Sequence, residues 1–223
     1  MNIADRFRRP GRLAAAAFVL LLTVAVQNAG AAVTEGKEYK TLKPAQPTLT
    51  TPAAGRVEVA EVFWYACGHC YLLEPSIENW VRKGKPAHVD VVRLPATWNE
   101  VLKLHARAFY TAELLGKLPQ LHPEIFREIN VRGNRLETAE KVEAFFVSKG
   151  VSKADFQKAF ASFAVESKLR RAEDLNRRYR ITSTPTVVVQ GRYVTDAGMA
   201  GSEQRLFEVI NELAAMAKAN PAG

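Results

Sequence analysis

Two cysteines separated by two residues, Cys67 and Cys70, are the residues of this sequence best suited to chemistry. A pair at this spacing forms half of a zinc site, attaches haem, closes a small structural loop, or cycles between dithiol and disulfide. Haem attachment needs a histidine directly after the second cysteine, where Tyr71 stands. A four-residue structural loop contributes only about 1.9 kcal/mol in the chain-entropy model. Zinc needs further ligands, and the remaining histidines lack the usual ligand spacing; they are His88, His105 and His122. The spacing favours a redox pair, with a metal site or an inert bond left as alternatives.

The flanking residues put the pair where a strand ends and a helix begins. Residues 56–64 have apolar side chains at both odd and even positions, as in a strand that is covered on both faces. Residues 68–82 carry apolar residues at helical spacing. At a helix N-terminus, Cys67 faces unpaired backbone N–H groups and the positive end of the helix dipole, which both favour its thiolate. Cys67 is therefore predicted to be the attacking sulfur and Cys70 the resolving one. His69 is predicted to add a donor or a positive charge next to Cys67.

The elements around the pair predict an α/β fold interrupted by helices. Residues 88–94 form a second strand, which completes a βαβ unit whose helix contains Pro75 and is predicted to kink there. The second half is predicted to consist of a strand at 186–190, a turn at 191–192, a returning strand to 195 and a helix capped by Ser202. Between the halves, helical periodicity covers 99–116, 119–130, 138–149, 153–163 and 165–179. Phenylalanines at helical spacing in this stretch are predicted to pack inward; they are Phe145, Phe146, Phe156, Phe160 and Phe163.

One carboxylate interrupts an otherwise apolar row on the first long strand. Two-residue alternation puts Glu61 on the same face as Val57, Val59 and Phe63. A buried carboxylate must be paired or must shift its pKa. Glu61 is therefore a candidate site residue, with a partly exposed edge position as the alternative.

Composition and charge restrict the classes of protein that the chain can belong to. Of its 223 residues, 48% are hydrophobic, which argues against disorder. The net charge of +8 falls to +5 when residues 1–31 are left out, and no nucleic-acid partner is expected from that balance. A run of arginines at 177, 178 and 180 is predicted to be a solvated helix face.

Residues 1–31 resemble a secretory signal peptide. Four arginines precede a 14-residue apolar run from residue 13 to residue 26, and Ala29-Gly30-Ala31 fits a cleavage site. The alternative is an uncleaved amphipathic or membrane-anchoring helix, but the apolar run is short for a permanent span, which needs about 20 residues. The sequence predicts export to the periplasm, an oxidising compartment in which disulfides persist.

These motifs together resemble the thioredoxin superfamily and, within it, the DsbA family of exported bacterial disulfide oxidases. The resemblance covers most of the chain after residue 31: Glu61-Val62-Phe63-Trp64-Tyr65 before the cysteines, the helical insertion, Thr184-Pro185-Thr186 and Asp196-Ala197-Gly198-Met199. It implies a thioredoxin-like fold with an inserted all-helical subdomain. The divisions are a signal peptide at 1–31, an extended arm at 32–55, a first half at 56–95, the insertion at 96–183 and a second half at 184–223.

The resemblance also implies roles for residues beyond the cysteines. Thr184-Pro185 matches the family's cis-proline, and the backbone of Thr184 would pair with an extended substrate. Glu61 matches the family's buried acid, which handles the proton of Cys70. Arg93 matches its basic partner, usually Lys, and arginine holds an ion pair without carrying a proton. Gly68-His69 stands where well-studied members have Pro-His, so the oxidising strength is left open.

The expected function is that of a monomeric periplasmic thiol:disulfide interchange protein. It would donate the Cys67–Cys70 disulfide to unfolded exported proteins with free thiols and be reoxidised by a DsbB-like membrane oxidant, with no metal and no cofactor beyond that disulfide. A reductase or isomerase on the same fold is the second hypothesis. A metal-binding or peptide-binding module that uses the two cysteines as ligands is the third.

Overall fold

The computed structural model describes residues 32–220, so the predicted signal peptide at 1–31 lies outside the described residues. A five-stranded sheet is the centre of the fold, in the order β1-β5-β4-β2-β3. Its strands are β1 (Lys40–Thr41), β2 (Val57–Phe63), β3 (Val89–Pro95), β4 (Thr186–Val189) and β5 (Tyr193–Thr195). The β2–β3 pair is parallel and the other pairs are antiparallel.

The parallel pair is connected by the helix that carries the cysteines. This helix, α1 (Gly68–Lys83), runs from β2 to β3 and continues through Pro75. Every residue of β2 is buried, because helices cover both faces of the sheet at its centre. The strand–helix–strand prediction for this half is confirmed.

Five helices follow β3, as the periodicity predicted. They are α2 (Glu100–Leu114), α3 (Leu118–Asn130), α4 (Ala139–Ser148), α5 (Lys153–Phe160) and α6 (Phe163–Arg178). Polar side chains begin four of them by accepting a hydrogen bond from a backbone N–H three residues on; these caps are Asn99, Thr138, Ser152 and Ser162. The arginines near the end of α6 face solvent, and Arg178 pairs with Asp174 at 2.7 Å.

Two details of the helical prediction are wrong. The helix predicted at 153–163 ends at Phe160, because Ser162 caps a new helix and makes Phe163 its first residue. Phe163 is consequently 84% exposed, whereas Phe145, Phe146 and Phe156 are buried as predicted. In α1, Leu72 shares the apolar spacing of Leu73 and Ile77 but is 69% exposed.

The second half completes the sheet and covers one face of it. After β5 comes a one-turn helix, α7 (Ala197–Ala200), which the sequence did not predict and which Asp196 caps. The last helix, α8 (Glu203–Ala219), begins at the predicted cap Ser202 and packs on β2 and β4. Within residues 32–220, no helix is both long and apolar enough to cross a membrane.

Candidate active site

The cysteine pair lies at the junction of β2 and α1, where the sequence predicted it. Cys67 is the N-cap of α1 in an extended conformation, and its sulfur accepts a hydrogen bond from the backbone N–H of Cys70 at 3.4 Å. Both cysteines are free thiols in this structure. Cys67 is partly exposed and Cys70 is completely buried. Only the first sulfur is therefore open to an approaching substrate.

The surroundings of Cys67 stabilise its thiolate. The Cys70 thiol contributes most, followed by the side chain of Thr184 and the backbone N–H groups of Cys70 and His69. Against the opposing effect of partial burial, these donors lower the pKa of Cys67 to about 5. From the sequence, the backbone N–H groups and the helix dipole were predicted to stabilise the Cys67 thiolate. In the structure, the thiol of Cys70 is the donor that lowers the pKa of Cys67 most.

The surroundings of Cys70 act in the opposite direction. Its hydrogen bond to Cys67, its burial and the negative charge of Cys67 raise its pKa far above the ordinary value, and the charge of Glu61 adds to the effect. The two sulfurs are thus an ionised, accessible group beside a protonated, inaccessible one. This inequality suits one attacking sulfur and one resolving sulfur.

Thr184 and Pro185 lie directly against the sulfurs. The peptide bond between them is cis, and the carbonyl oxygen of Thr184 accepts a hydrogen bond from Cys67 Sγ at 3.3 Å. A groove of about 490 Å³ opens next to this contact, and Leu72 is its exposed apolar member. We call it the thiol groove; it is lined in part by His69, Leu72, Ser183, Thr184, Pro185 and Asp196.

The dipeptide between the cysteines is exposed. Added to Gly68, a Cβ atom would meet no atom within 4 Å, so nothing around it requires glycine there. The imidazole of His69 lines the thiol groove, while its backbone N–H is what reaches Cys67. The predicted donor at residue 69 is therefore the main chain.

Glu61 is only 2% exposed, which excludes the edge position. It stands opposite Arg93 in the parallel β2–β3 register, and the distance from Arg93 Nε to Glu61 Oε2 is 3.4 Å. Burial raises the pKa of Glu61 to about 8, although the charge of Arg93 acts to lower it. Glu61 therefore retains its proton at neutral pH in the dithiol form.

Arg93 has two further carboxylate partners that the sequence analysis missed. Glu74 and Glu78 extend from α1, and both contact the Nη2 atom of Arg93, Glu78 at 2.6 Å. Their spacing of four and eight residues from Cys70 put them near the same helix face, which was the available signal. We call Glu61, Glu74, Glu78 and Arg93 the buried acid cluster.

Two histidines of the insertion contact the two residues that follow β2. Trp64 Nε1 donates to His105 Nδ1 at 3.0 Å, and His105 Nε2 contacts the carbonyl oxygens of Arg135 and Leu136 at 3.1 and 3.2 Å. The hydroxyl of Tyr65 lies 2.8 Å from His122 Nδ1. The sequence analysis considered these histidines only as metal ligands.

His122 also faces the buried acid cluster. Its Nε2 lies 3.4 Å from Glu74 Oε1. A cavity of about 480 Å³ is lined by Glu74, Glu78, Arg93 and His122, and otherwise by Leu118, Pro119 and Pro123; we call it the α1–α3 cavity. Across residues 32–220, no group of three or more His, Cys, Asp or Glu side chains is arranged to hold a metal ion.

A βαβ unit with a Cys-x-x-Cys pair at its strand-to-helix junction and a cis-proline against the sulfurs defines a thiol:disulfide oxidoreductase of the thioredoxin fold. The family model described as "DSBA-like thioredoxin domain" matches residues 91–209, from β3 into α8. The chain is 36% identical to the thiol:disulfide interchange protein DsbA of Pseudomonas syringae pv. tomato, over 81% of this chain and 83% of that protein. The chain belongs to the DsbA family.

Other relatives and solved structures agree with this assignment. The thiol:disulfide interchange protein DsbA of Burkholderia cepacia is 36% identical over 84% of this chain and 87% of that protein. The crystal structure of Pseudomonas aeruginosa DsbA superposes with a TM-score of 0.77 and 35% identity, covering 86% of this chain and 97% of that chain. The predicted family, fold class and enzyme class are confirmed.

Proposed function

We propose that the chain is a periplasmic disulfide donor that oxidises newly exported, unfolded proteins with free thiols. The observation that carries the proposal is the contrast between an accessible Cys67 with a pKa of about 5 and a buried, protonated Cys70. Stabilising the Cys67 thiolate stabilises the dithiol, which makes the disulfide a stronger oxidant. Each pKa unit below the ambient pH raises the reduction potential by roughly 30 mV.

The reaction begins at the sulfur that substrate can reach. A substrate thiolate attacks Cys67 Sγ, the Cys67–Cys70 bond breaks, and Cys70 leaves with the electron pair and takes up a proton. A second substrate thiolate then attacks the substrate sulfur of the mixed disulfide, a substrate disulfide forms, and Cys67 leaves as a thiolate. Two electrons and one disulfide are exchanged, with no cofactor beyond the cysteine pair.

Neighbouring groups position the substrate and the proton. In its disulfide or thiolate state Cys67 has no S–H to donate, so the Thr184 carbonyl is free to accept from an extended substrate backbone. Pro185 has no N–H, and Leu72 supplies an apolar contact in the thiol groove. Glu61, which holds a proton at neutral pH, is the acid that protonates the departing Cys70.

A trapping experiment tests the donor mechanism. Cys70→Ser is expected to accumulate mixed disulfides with a cysteine-bearing peptide in oxidising buffer, whereas Cys67→Ser is expected to form none; non-reducing gels and mass spectrometry read the result. No adduct with Cys70→Ser would refute the mechanism.

Equilibration with glutathione buffers separates an oxidant from a reductant. A strongly oxidising equilibrium constant supports the proposal, and a potential near that of thioredoxin, about −270 mV, would favour the reductase hypothesis. Stoichiometric zinc or copper in the purified reduced protein, without peptide-oxidation activity, would instead favour the metal-binding module.

The proposed recycling partner is a DsbB-like membrane oxidant, and the chain is proposed to act as a monomer. Reduced protein should be reoxidised by membrane vesicles that contain such a quinone-linked oxidase and not by vesicles that lack it. Light scattering should give the mass of one chain. For the location, cell fractionation should find the protein in the periplasm without residues 1–31.

A further inference from the structure

The thiol groove is where a substrate segment must lie during the proposed reaction. The carbonyl oxygen of Thr184, 3.3 Å from Cys67 Sγ, is the backbone group that an extended segment can pair with. Three parts of the chain line the groove: the first turns of α1, the residues around Pro185, and the segment from Asp196 to the start of α8. Side chains on either side of a substrate cysteine therefore lie close to all three parts.

Apart from His69, the titratable side chains that line the thiol groove are two carboxylates. Asp196 is half-buried, and its Oδ1 accepts a hydrogen bond from the backbone N–H of Met199 at 2.8 Å. Glu203 is exposed. No Lys or Arg of the described residues lines the groove, and neither carboxylate forms an ion pair within residues 32–220. The groove therefore carries negative charge that no cation of the described chain compensates.

The lack of a cation distinguishes the thiol groove from other cavities of the protein. Four other cavities within residues 32–220, the α1–α3 cavity among them, each include at least one Lys or Arg; examples are Arg93, Lys103, Arg135 and Lys168. The chain after residue 31 has a net charge of +5. A protein with an excess of cations thus presents an acidic groove beside its reactive sulfur.

The two carboxylates are placed to act on what enters the groove and not on Cys67. The pKa of Cys67 is set chiefly by Cys70, Thr184 and burial, and neither Asp196 nor Glu203 is among its main determinants. A charged side chain of a substrate segment, by contrast, would meet the two carboxylates directly. Opposite charges there favour the encounter, and like charges oppose it.

We infer that Asp196 and Glu203 make the protein select substrate segments that carry Lys or Arg close to the reacting cysteine and discriminate against segments that carry Asp or Glu there. In an extended segment, the side chains two residues before and after the cysteine point to the same side as its sulfur, so these two positions face the groove. The inference rests on the proposed function and deepens it, because it names the class of client that is oxidised fastest.

The experiment compares three two-cysteine peptides that differ only two residues before and after the first cysteine, where they carry Lys, Gln or Glu. Each peptide is mixed with the disulfide form of the protein, and mass spectrometry of acid-quenched samples gives the second-order rate constant of peptide oxidation. The uncharged oxidant hydroxyethyl disulfide gives the intrinsic reactivity of each peptide, by which the rate constant is divided. The Lys peptide is expected to react roughly tenfold faster than the Glu peptide at ~0.01 M salt, with the Gln peptide between them.

Salt tests the electrostatic origin of the preference in the wild-type protein. The Debye length falls from about 30 Å at 0.01 M salt to about 3 Å at 1 M, so exposed charges interact only at close range in the second buffer. The ratio of the corrected Lys and Glu rate constants should therefore fall to about twofold or less at 1 M sodium chloride. A ratio that does not change with salt would come from side-chain shape and would overturn the inference.

Variants test the two carboxylates themselves. Asp196→Asn with Glu203→Gln removes both charges with little change of shape, and Asn retains the side-chain oxygen that caps α7. This double variant should lose most of the ratio, and Asp196→Asn with Glu203→Lys should reverse it. Glu140→Gln is the matched control, because Glu140 is an exposed carboxylate in the first turn of α4, as Glu203 is in α8, but lies outside the groove. Its ratio should equal that of the wild type.

The outcomes separate the inference from the proposed function. Equal corrected rate constants for the Lys and Glu peptides in the wild type, a ratio that survives in the double variant, or an equal loss in Glu140→Gln would overturn the inference and leave the donor mechanism standing. If circular dichroism shows that the double variant does not fold, Glu203→Gln and the salt dependence decide. Failure of the wild-type protein to oxidise any of the three peptides would instead refute the proposed function.

Discussion

The surroundings of Cys67 and the buried acid cluster act on protons in opposite directions. Around Cys67, donors from Cys70, Thr184 and the backbone favour loss of a proton. Around Glu61, burial favours keeping one, and it outweighs the attraction of Arg93. Neighbouring groups whose pKa values are pushed apart mark a division into nucleophile and acid.

The two regions are also expected to tolerate substitutions differently. The Cys67 region is partly exposed, and several separate hydrogen bonds together lower the pKa of its sulfur. The buried acid cluster sets three carboxyl groups against one guanidinium. Removal of that single cation leaves buried charge without compensation.

The largest effect is therefore expected from Arg93→Met. Loss of the cation should destabilise the reduced protein by about 3–5 kcal/mol at pH 8 and by less at pH 5, where the carboxyl groups take up protons. Urea unfolding at the two pH values measures the change. Arg56→Met is the matched control, because Arg56 pairs with Asp90 at the surface, and its loss should destabilise the protein far less than that of Arg93.

The next effect is a pair of opposite pH dependences. The pKa of Glu61 is raised from 4.5 to about 8, so its contribution to stability is present below pH 4.5 and lost as pH rises to 8. The pKa of Cys67 is lowered from 9.0 to about 5, so its contribution is present above pH 9 and lost as pH falls to 5. In the reduced wild-type protein the two slopes partly cancel between pH 5 and 8.

Single variants should separate these slopes. From pH 5 to 8, reduced Glu61→Gln should gain stability relative to wild type and reduced Cys67→Ser should lose it. Each pKa unit corresponds to about 1.4 kcal/mol, less for the partly exposed Cys67 because solvent screens it. Urea midpoints across this range measure the slopes, and parallel curves for the two variants would contradict the comparison.

A smaller effect is expected at Thr184. Thr184→Val removes a side-chain hydrogen bond to Cys67 and should raise the pKa of Cys67 by about one unit, which lowers the reduction potential by roughly 30 mV. Ultraviolet absorbance of the thiolate gives the titration. Thr186→Val is the control, because that hydroxyl bonds to Ser183 O at 2.9 Å, and the titration should not move.

The smallest effect is expected at His69. Its backbone N–H, which every substitution except proline retains, is the group that reaches Cys67. His69→Ser should therefore raise the pKa of Cys67 less than Thr184→Val does. An equal or larger shift in the same titration would show that the imidazole itself stabilises the thiolate.

Local patterns were sufficient to predict the position of Cys67 at a helix N-terminus and the burial of Glu61. A Cys-x-x-Cys after an apolar strand specifies its own position at a helix N-terminus, because strand and helix are both short-range features. Strand alternation likewise predicted a carboxylate among apolar neighbours. The cis bond before Pro185 followed from family resemblance and not from any local signal.

The remainder of the site depends on tertiary contacts that one sequence does not encode locally. His122 belongs to α3 and reaches Glu74 only because α3 packs on α1. For Phe163, the local pattern gave a wrong prediction. Its helical spacing from Phe156 and Phe160 predicted a buried ring, but Ser162 caps a new helix at this point and the ring is exposed. Capping residues were the stronger signal there.

The two outer strands of the sheet have a consequence for a protein proposed to meet unfolded chains. On one edge, β3 carries Asp90 and Arg93, both held in ion pairs, and ends at Pro95, which has no N–H. The opposite edge, β1, is only two residues long. Charges, proline and short length make poor templates for added strands. Unfolded substrate chains with exposed apolar segments are therefore not expected to add as extra strands to either edge of the sheet.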